Sequence, residues 1–262
     1  MTDGEVLVDV DGPVGWITFS NPAKRNAMSA PMFAAALKAI DKLDGDAAVR
    51  VIALRGADRT FVSGADIGGL SSSPRPPDSA GASAGPGILE QVQRTGKPVV
   101  ALLEGWCLGG GVVLALAADL RIGTPGLKFG IPAARLGAAY PLDAVTALVR
   151  LAGPGTAAQL LLGGQPIDGR RAYEVGLLNW VFDEPEFETK AAGVLATLAA
   201  GAPLTLLASK RAIAAAFDGD DDRPGERTAA AIAAAAACWK SADFKEGREA
   251  FLAKRAPRFT GT

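Results

Sequence analysis

The chain has 262 residues, 49% of them hydrophobic, with 27 basic against 28 acidic side chains and a formal net charge of −1. That length allows one large core with an appendage or two small domains, and the scattered, balanced charge gives no support to a nucleic-acid partner or an anionic membrane surface. Histidine is absent, which excludes Ser-His and Cys-His nucleophile pairs and histidine-containing zinc sites and leaves acid–base work to Asp, Glu, Tyr, Lys or water. In chain order, "EVLVDVDGPVGWITFS" alternates apolar and polar residues around a Gly-Pro turn and predicts a β-hairpin. "SAPMFAAALKAIDKLDGD" predicts a helix with Ser29 as N-cap, Pro31 in its first turn and Gly45 at its stop. "VRVIALRG" reads as a buried strand, "TFVSGADIGGL" as a glycine-broken turn, and "KPVVALLEG" as a second strand running into three glycines. The order of strands and helices indicates an α/β architecture of repeated strand–helix units. Ser71 to Gly87, "SSSPRPPDSAGASAGPG", is low in complexity and reads either as a surface loop or as a flap beside a pocket.

From Gly201 onward the pattern is almost wholly helical, with one or two amphipathic helices in "ERTAAAIAAAAACWKSADFKEGREAFLAKR". This divides the chain into an α/β core over 1–200 and a helical region over 201–262. Only two cysteines occur, Cys107 and Cys238, too few for a disulfide framework. The acidic first residues lack the basic-then-apolar pattern of a signal peptide, and the apolar tracts from Gly109 to Ala118 and from Thr228 to Ala237 fall short of the roughly 20 residues a bilayer needs. A cytoplasmic protein is expected on these grounds.

"WCLGGGVVLALAADL", Trp106 to Leu120, raises a sharper question, because a buried helix requires no more than one of its three glycines. Consecutive glycines let backbone N–H groups approach a ligand, and a helix that begins there aims its positive end at the same place. The triplet therefore reads as a site for an oxygen that carries or develops negative charge. Close helix–strand packing is the other reading.

The stretches "NPAKRNAMS", "FVSGADI", "KPVVALLEGWCLGGGVVLALAADLRI", "LKFGIPAARLG", "GQPIDGRRAYEVGLLNWV" and "DFKEGREAFLAKRAPRF" resemble, in order and spacing, the crotonase superfamily of enoyl-CoA hydratases and isomerases. The resemblance covers nearly the whole chain. It implies a spiral of ββα units with a helical C-terminal region that packs on neighbouring subunits as a trimer or a dimer of trimers. It implies an acyl-CoA substrate, with coenzyme A entering as part of that substrate and no separate cofactor or metal. In such proteins the N–H groups matching Ala65 and Gly110 hold the thioester carbonyl oxygen and stabilise an enolate-like anion. Lys24, Arg25 and Ala27 match the segment along the CoA adenine and phosphates, although Lys24 also reads as part of a solvated turn. Asp66 is expected to hold the turn, and Ile67, Gly109, Ala133 and Arg135 to lie along the pocket. Asp119 is expected to fix the loop after the glycine-led helix. Phe251 and Lys254 match residues that reach the CoA of their own or an adjacent subunit; helix packing and a solvated charge are the alternative.

One departure decides the chemistry. Hydratases of this superfamily carry a glutamate two residues after the glycine triplet and another after the proline of an "FGxPE"-like segment. Here Val113 and Ala133 stand in those places, and neither transfers a proton. Two-glutamate hydration is therefore doubtful, as is an isomerisation that uses the second glutamate. Nearby, Tyr140 is able to donate to a developing charge, Asp143 to act as base or nucleophile, and Arg135 to pair with a substrate carboxylate. Each also has a structural reading: Arg135 in a surface ion pair, Tyr140 in the core, Asp143 as the N-cap of "AVTALVRLA". An acyl-CoA decarboxylase or atypical isomerase, a non-catalytic acyl-CoA-binding protein and a partner-binding subunit remain open. A ClpP-like serine peptidase does not, since no histidine exists to activate Ser63.

Overall fold

The computed structural model describes residues 4–66, 87–216 and 225–262. Strands β1 (Glu5–Asp11) and β2 (Val14–Ser20) form the expected antiparallel hairpin, with Gly12 at φ 53° in its turn. Helix α1 (Ala30–Gly45) begins at Ser29, whose hydroxyl accepts the Met32 N–H, and it buries Met32, Ala36, Ala39, Ile40 and Leu43 along one face.

From there each turn of the chain repeats one path: a strand in the main sheet, a short inner segment, then a helix. Strand β3 (Val51–Gly56) leads past Val62 towards α2 (Ile88–Arg94). Strand β4 (Val99–Leu103) leads through the short β5 (Trp106–Leu108) into α3 (Gly110–Ala117). Strand β6 (Leu120–Gly123) leads through β7 (Lys128–Gly130) into α4 (Ala133–Leu136) and α5 (Leu142–Gly163). Helix α6 (Gly169–Glu174) and strand β8 (Trp180–Val181) complete the six-stranded sheet, ordered β1-β2-β3-β4-β6-β8 and parallel from β2 onward. The inner segments pair in a second ladder: Met28 with Ala65, Val62 with Cys107, β5 with β7, and Phe129 with Ile167. This is the spiral of ββα units that the resemblance implies.

Alternation along β3 and β4 explains why both strands read as continuous apolar runs. Ile52, Leu54, Val99, Ala101 and Leu103 face the main core with α1 and α3, whereas Val51, Ala53, Val100 and Leu102 face Phe187, Ala191 and Leu195 of α7 (Phe187–Ala199). Helix α5 has the length and apolar composition of a bilayer span. It is broken at Gly153, whose φ of 75° and ψ of 164° precede Pro154, and neither part reaches the roughly 20 residues required.

Beyond Ala200 the chain forms α8 (Pro203–Ala215), α9 (Glu226–Lys240) and α10 (Ala242–Leu252); the break between the last two is capped by Ser241, which accepts the Phe244 N–H at 2.9 Å. No described residue of α8 or α9 is buried, so polar ties do much of the anchoring. Arg50 donates to the carbonyl of Gly201 at 3.0 Å, and Lys210 meets Asp119 Oδ2 at 2.8 Å. Asp119 also accepts the Val99 N–H at 2.8 Å, so this one carboxylate joins the end of α3, the start of β4 and α8. Burial pushes the Asp119 carboxyl above the usual carboxylate range, against the opposing pull of Lys210, Val99 and Arg121.

Lys210→Met removes the cation hydrogen-bonded to Asp119 and is expected to cost about 1–3 kcal/mol of stability at neutral pH. Loss of the lysine moves the folded pKa of Asp119 further above its unfolded value. The penalty then applies where Asp119 is ionised and fades as pH falls through the folded pKa. Thermal melts of both proteins between about pH 7.5 and pH 5 should show the gap narrowing; a gap independent of pH would assign the loss to packing instead.

Candidate functional site

The three glycines at the head of α3 are needed for three different reasons. Gly109 caps the helix at φ 47° and ψ −109°, a conformation in which a side chain is strained. A Cβ on Gly111 would lie 2.3 Å from the Val62 carbonyl oxygen and 2.9 Å from Val62 Cβ, so this glycine permits close contact with the inner segment. Gly110 is different. Its φ is ordinary, and an added Cβ would lie 3.4 Å from Phe33 Cζ and 3.5 Å from the Ala65 nitrogen, contacts that a real side chain tolerates.

Ala65 reaches this position through the inner ladder. Met28 donates to the Gly64 carbonyl and accepts from the Asp66 N–H, both at 2.8 Å. These bonds use the groups on either side of Ala65 and leave its own N–H on the opposite edge, beside Gly110. Among the described residues neither the Ala65 nor the Gly110 N–H has an acceptor. Two amides thus converge at the positive end of a helix whose remaining residues are almost all buried. That arrangement suits an oxygen with negative charge.

The segment that leads into α1 lies against the same loop. Lys24 Nζ meets Asp66 Oδ2 at 2.6 Å, Ser63 Oγ donates to the Lys24 carbonyl at 3.0 Å, and the Ser63 N–H donates to the Arg25 carbonyl at 3.2 Å. Lys24 is therefore paired, with the Asp66 carboxylate as its partner. Arg25 and Asn26 adopt left-handed φ values of 50° and 59°. The Arg25 guanidinium lies 5.3 Å from the centre of the Trp106 ring. Buried Asn26 secures this backbone: its side-chain amide donates to the carbonyls of Ala57 at 2.8 Å and Thr60 at 2.6 Å, and its oxygen accepts the Asn21 N–H at 2.8 Å. Asn21 in turn donates to the carbonyl of buried Ala27 at 3.0 Å. The sequence reading missed Asn21, Asn26, Phe33 and Trp106, and the asparagines in "NPAKRNAMS" were the only signal for two of them.

Val113, Ala133, Tyr140 and Phe33 are part-buried against the main core. The Tyr140 hydroxyl donates to the Gly109 carbonyl at 2.9 Å. Burial, then the neighbouring Cys107 and Asp143, push its phenol well above the usual tyrosine value, so it stays protonated at neutral pH. Asp143 departs from the expected N-cap. Pro141 occupies that position, and Asp143 lies in the first turn of α5, exposed, with Oδ1 accepting the next N–H at 2.8 Å. Arg135 is exposed and lies along Gly164 at the end of α5, with no ion pair among the described residues. Phe251 is 82% exposed in the last turn of α10, and Lys254 follows it at φ 53°. Ile67 and most of the Ser71 to Gly87 stretch lie outside the described residues.

The sequence profile of the family described as enoyl-CoA hydratase/isomerase matches residues 10–262. A probable enoyl-CoA hydratase of Bacillus subtilis is 33% identical over 262 residues, which cover 98% of each chain. A crotonyl-CoA hydratase of Syntrophomonas wolfei is 29% identical across 97% of each chain. Among solved structures, an enoyl-CoA hydratase from Mycobacterium tuberculosis matches with a TM-score of 0.86 at 31% identity, covering 98% of this chain and 99% of that one.

The different surroundings of adjacent glycines give a direct test. Gly111→Ala forces a methyl group against the Val62 carbonyl and should lower stability by about 1–3 kcal/mol. Gly110→Ala should cost no more than a few tenths, since alanine is also the better helix former. Denaturant unfolding of the two variants measures the difference, and equal losses would show that the triplet is a uniform packing device.

Proposed function

Because this chain belongs to the enoyl-CoA hydratase/isomerase family, we propose that it binds an acyl-CoA thioester with the carbonyl oxygen between the Ala65 and Gly110 N–H groups. There it stabilises the enolate that the reaction forms. The observation that carries this reading is the convergence of two amides with no acceptor among the described residues, with a Gly110 Cβ position 3.5 Å from the Ala65 nitrogen. Donors set in advance need no reorganisation when charge develops, and one such donor is typically worth about 10²–10³ in rate. Lys24, Arg25 and Ala27 run beside this loop and are assigned to the CoA portion, with Phe251 and Lys254 reaching the CoA of the same or an adjacent copy. Coenzyme A is then part of the substrate, and no further cofactor is invoked.

The reaction follows from what is missing. With valine at 113 and alanine at 133, no carboxylate pair is available to move the protons of an added water. Decarboxylation forms an enolate without a base: the bond from Cα to the carboxylate breaks, its electron pair enters the thioester enolate, carbon dioxide leaves, and water protonates Cα. An unusual isomerisation with Asp143 as base is the variant of this reading. Since Tyr140 is committed to Gly109, a second reading is also favoured, an acyl-CoA-binding protein without turnover. The protein is assigned to the cytoplasm, where Cys107 and Cys238 remain thiols. Exposed Ile213, Ile232, Trp239, Phe244 and Leu252 on the C-terminal helices support a helical region, 201–262, that packs on other copies as a trimer or a dimer of trimers.

Crotonyl-CoA hydration by the unmodified protein is expected about 10²–10⁴-fold or more below that of a two-glutamate enzyme assayed beside it, and Val113→Glu with Ala133→Glu should raise it. Turnover of malonyl-type thioesters, set against calorimetric binding of the same compounds, separates the decarboxylase from the binding protein. Gly110→Val should abolish binding while the fold persists. Full-rate hydration by the unmodified chain would overturn the reading of positions 113 and 133, and unaltered binding by Gly110→Val would remove the anion hole.

A further inference from the structure

The Gly109 carbonyl and the Gly110 N–H belong to one planar peptide group, so whatever fixes the direction of the first fixes the direction of the second. This peptide has glycine on both sides, so no Cβ at either flank resists its rotation. Its carbonyl already accepts the Val112 N–H at 3.0 Å and the Val113 N–H at 3.3 Å from the first turn of α3. The Tyr140 hydroxyl at 2.9 Å is therefore a further donor on an acceptor that is already satisfied. It comes from the segment between α4 and α5, on a ring packed against the core.

We propose that Tyr140 is a positioning residue of the anion hole, whose hydroxyl holds the Gly109–Gly110 peptide in register and polarises it so that the Gly110 N–H meets the thioester oxygen as a stronger donor. The inference rests on the reading that this oxygen lies between Ala65 and Gly110. A hydrogen bond to an amide oxygen draws electron density from the nitrogen, and chains of such bonds strengthen one another by roughly 10–30% per bond. Tyr140 thus acts on the substrate through the backbone, without touching it. Burial keeps the phenol protonated, so the donor persists across the neutral range.

The test reads the polarisation of a bound thioester. Butyryl-CoA with carbon-13 at the thioester carbon, which has no group to hydrate or decarboxylate, is bound to the full-length protein, and its carbonyl stretch is compared with the free compound by isotope-edited infrared spectroscopy. The unmodified protein should shift the band to lower frequency. Tyr140→Phe should reduce that shift by roughly a tenth to a third and broaden the band as the peptide samples more orientations. Replacement of Tyr140 by 3-fluorotyrosine, a stronger donor of nearly the same shape, should enlarge the shift. Shifts equal in all three proteins would overturn the role of Tyr140 while leaving the anion hole in place. No shift in the unmodified protein would overturn the anion hole and this inference together. Should Tyr140→Phe fail to fold, the fluorotyrosine protein decides, and an unchanged shift there overturns the proposal.

Discussion

Backbone pairing of the inner segments is the constraint on which the candidate site depends. Met28 with Ala65, Val62 with Cys107 and β5 with β7 form one ladder, and the two convergent amides occupy places that this ladder sets. Both donors are main-chain groups, so their places follow from the path of the backbone. The Gly109 N–H donates to the Gly130 carbonyl at 3.0 Å, which fixes the head of α3 to β7, and the missing Cβ of Gly111 lets the same helix lie against Val62. A shift of one residue in this register would move Gly110 away from Ala65.

Helix α3 is held at its other end by a buried cation. Arg121, 3% exposed, donates to the carbonyls of Leu177 at 2.8 Å and Ala118 at 2.7 Å. Burial lowers its guanidinium pKa to about 10, so it remains charged at neutral pH. A cation at a helix C-terminus complements the dipole there, and those carbonyls need partners in any case. The negative end is thus compensated inside the protein, and the positive end is left at the Ala65 and Gly110 amides. Asp119, one residue beyond the helix cap, links this arrangement to β4 and α8.

Local signals in the sequence were read correctly where the physics is local. The hairpin follows from alternation around Gly12, and the start of α1 follows from Ser29 and Pro31. Asp143 shows the limit of such reading: a proline before a helix start is itself extended, with Pro141 at ψ 134°, so it takes the N-cap place and moves the aspartate into the first turn. The glycine triplet was legible as unusual, yet its three reasons were not separable. The partners of Gly111 and Gly110, Val62 and Ala65, come from a segment some 45 residues earlier in the chain. The role of Asn26 was hidden for the same cause, since the carbonyls it holds belong to Ala57 and Thr60. The division at residue 200 and the self-association rest on resemblance and on exposed apolar side chains.

The apolar residues at 113 and 133 have a consequence beyond the absence of a proton carrier. Val113 lies one turn along α3 from Gly110, Phe33 Cζ lies 3.4 Å from where a Gly110 Cβ would be, and both side chains pack against the core, so hydrocarbon borders the Gly110 amide. Charge interactions strengthen as the local dielectric falls. A glutamate in either place, once ionised, would add a negative charge that repels an enolate held by the two amides. In the proposed decarboxylation the substrate brings its own carboxylate and loses it as a neutral gas, so a second fixed negative charge beside the developing enolate would raise the barrier. Valine and alanine therefore fit a reaction whose difficulty is the anion itself, whereas the glutamate pair fits a reaction whose difficulty is moving the protons of water.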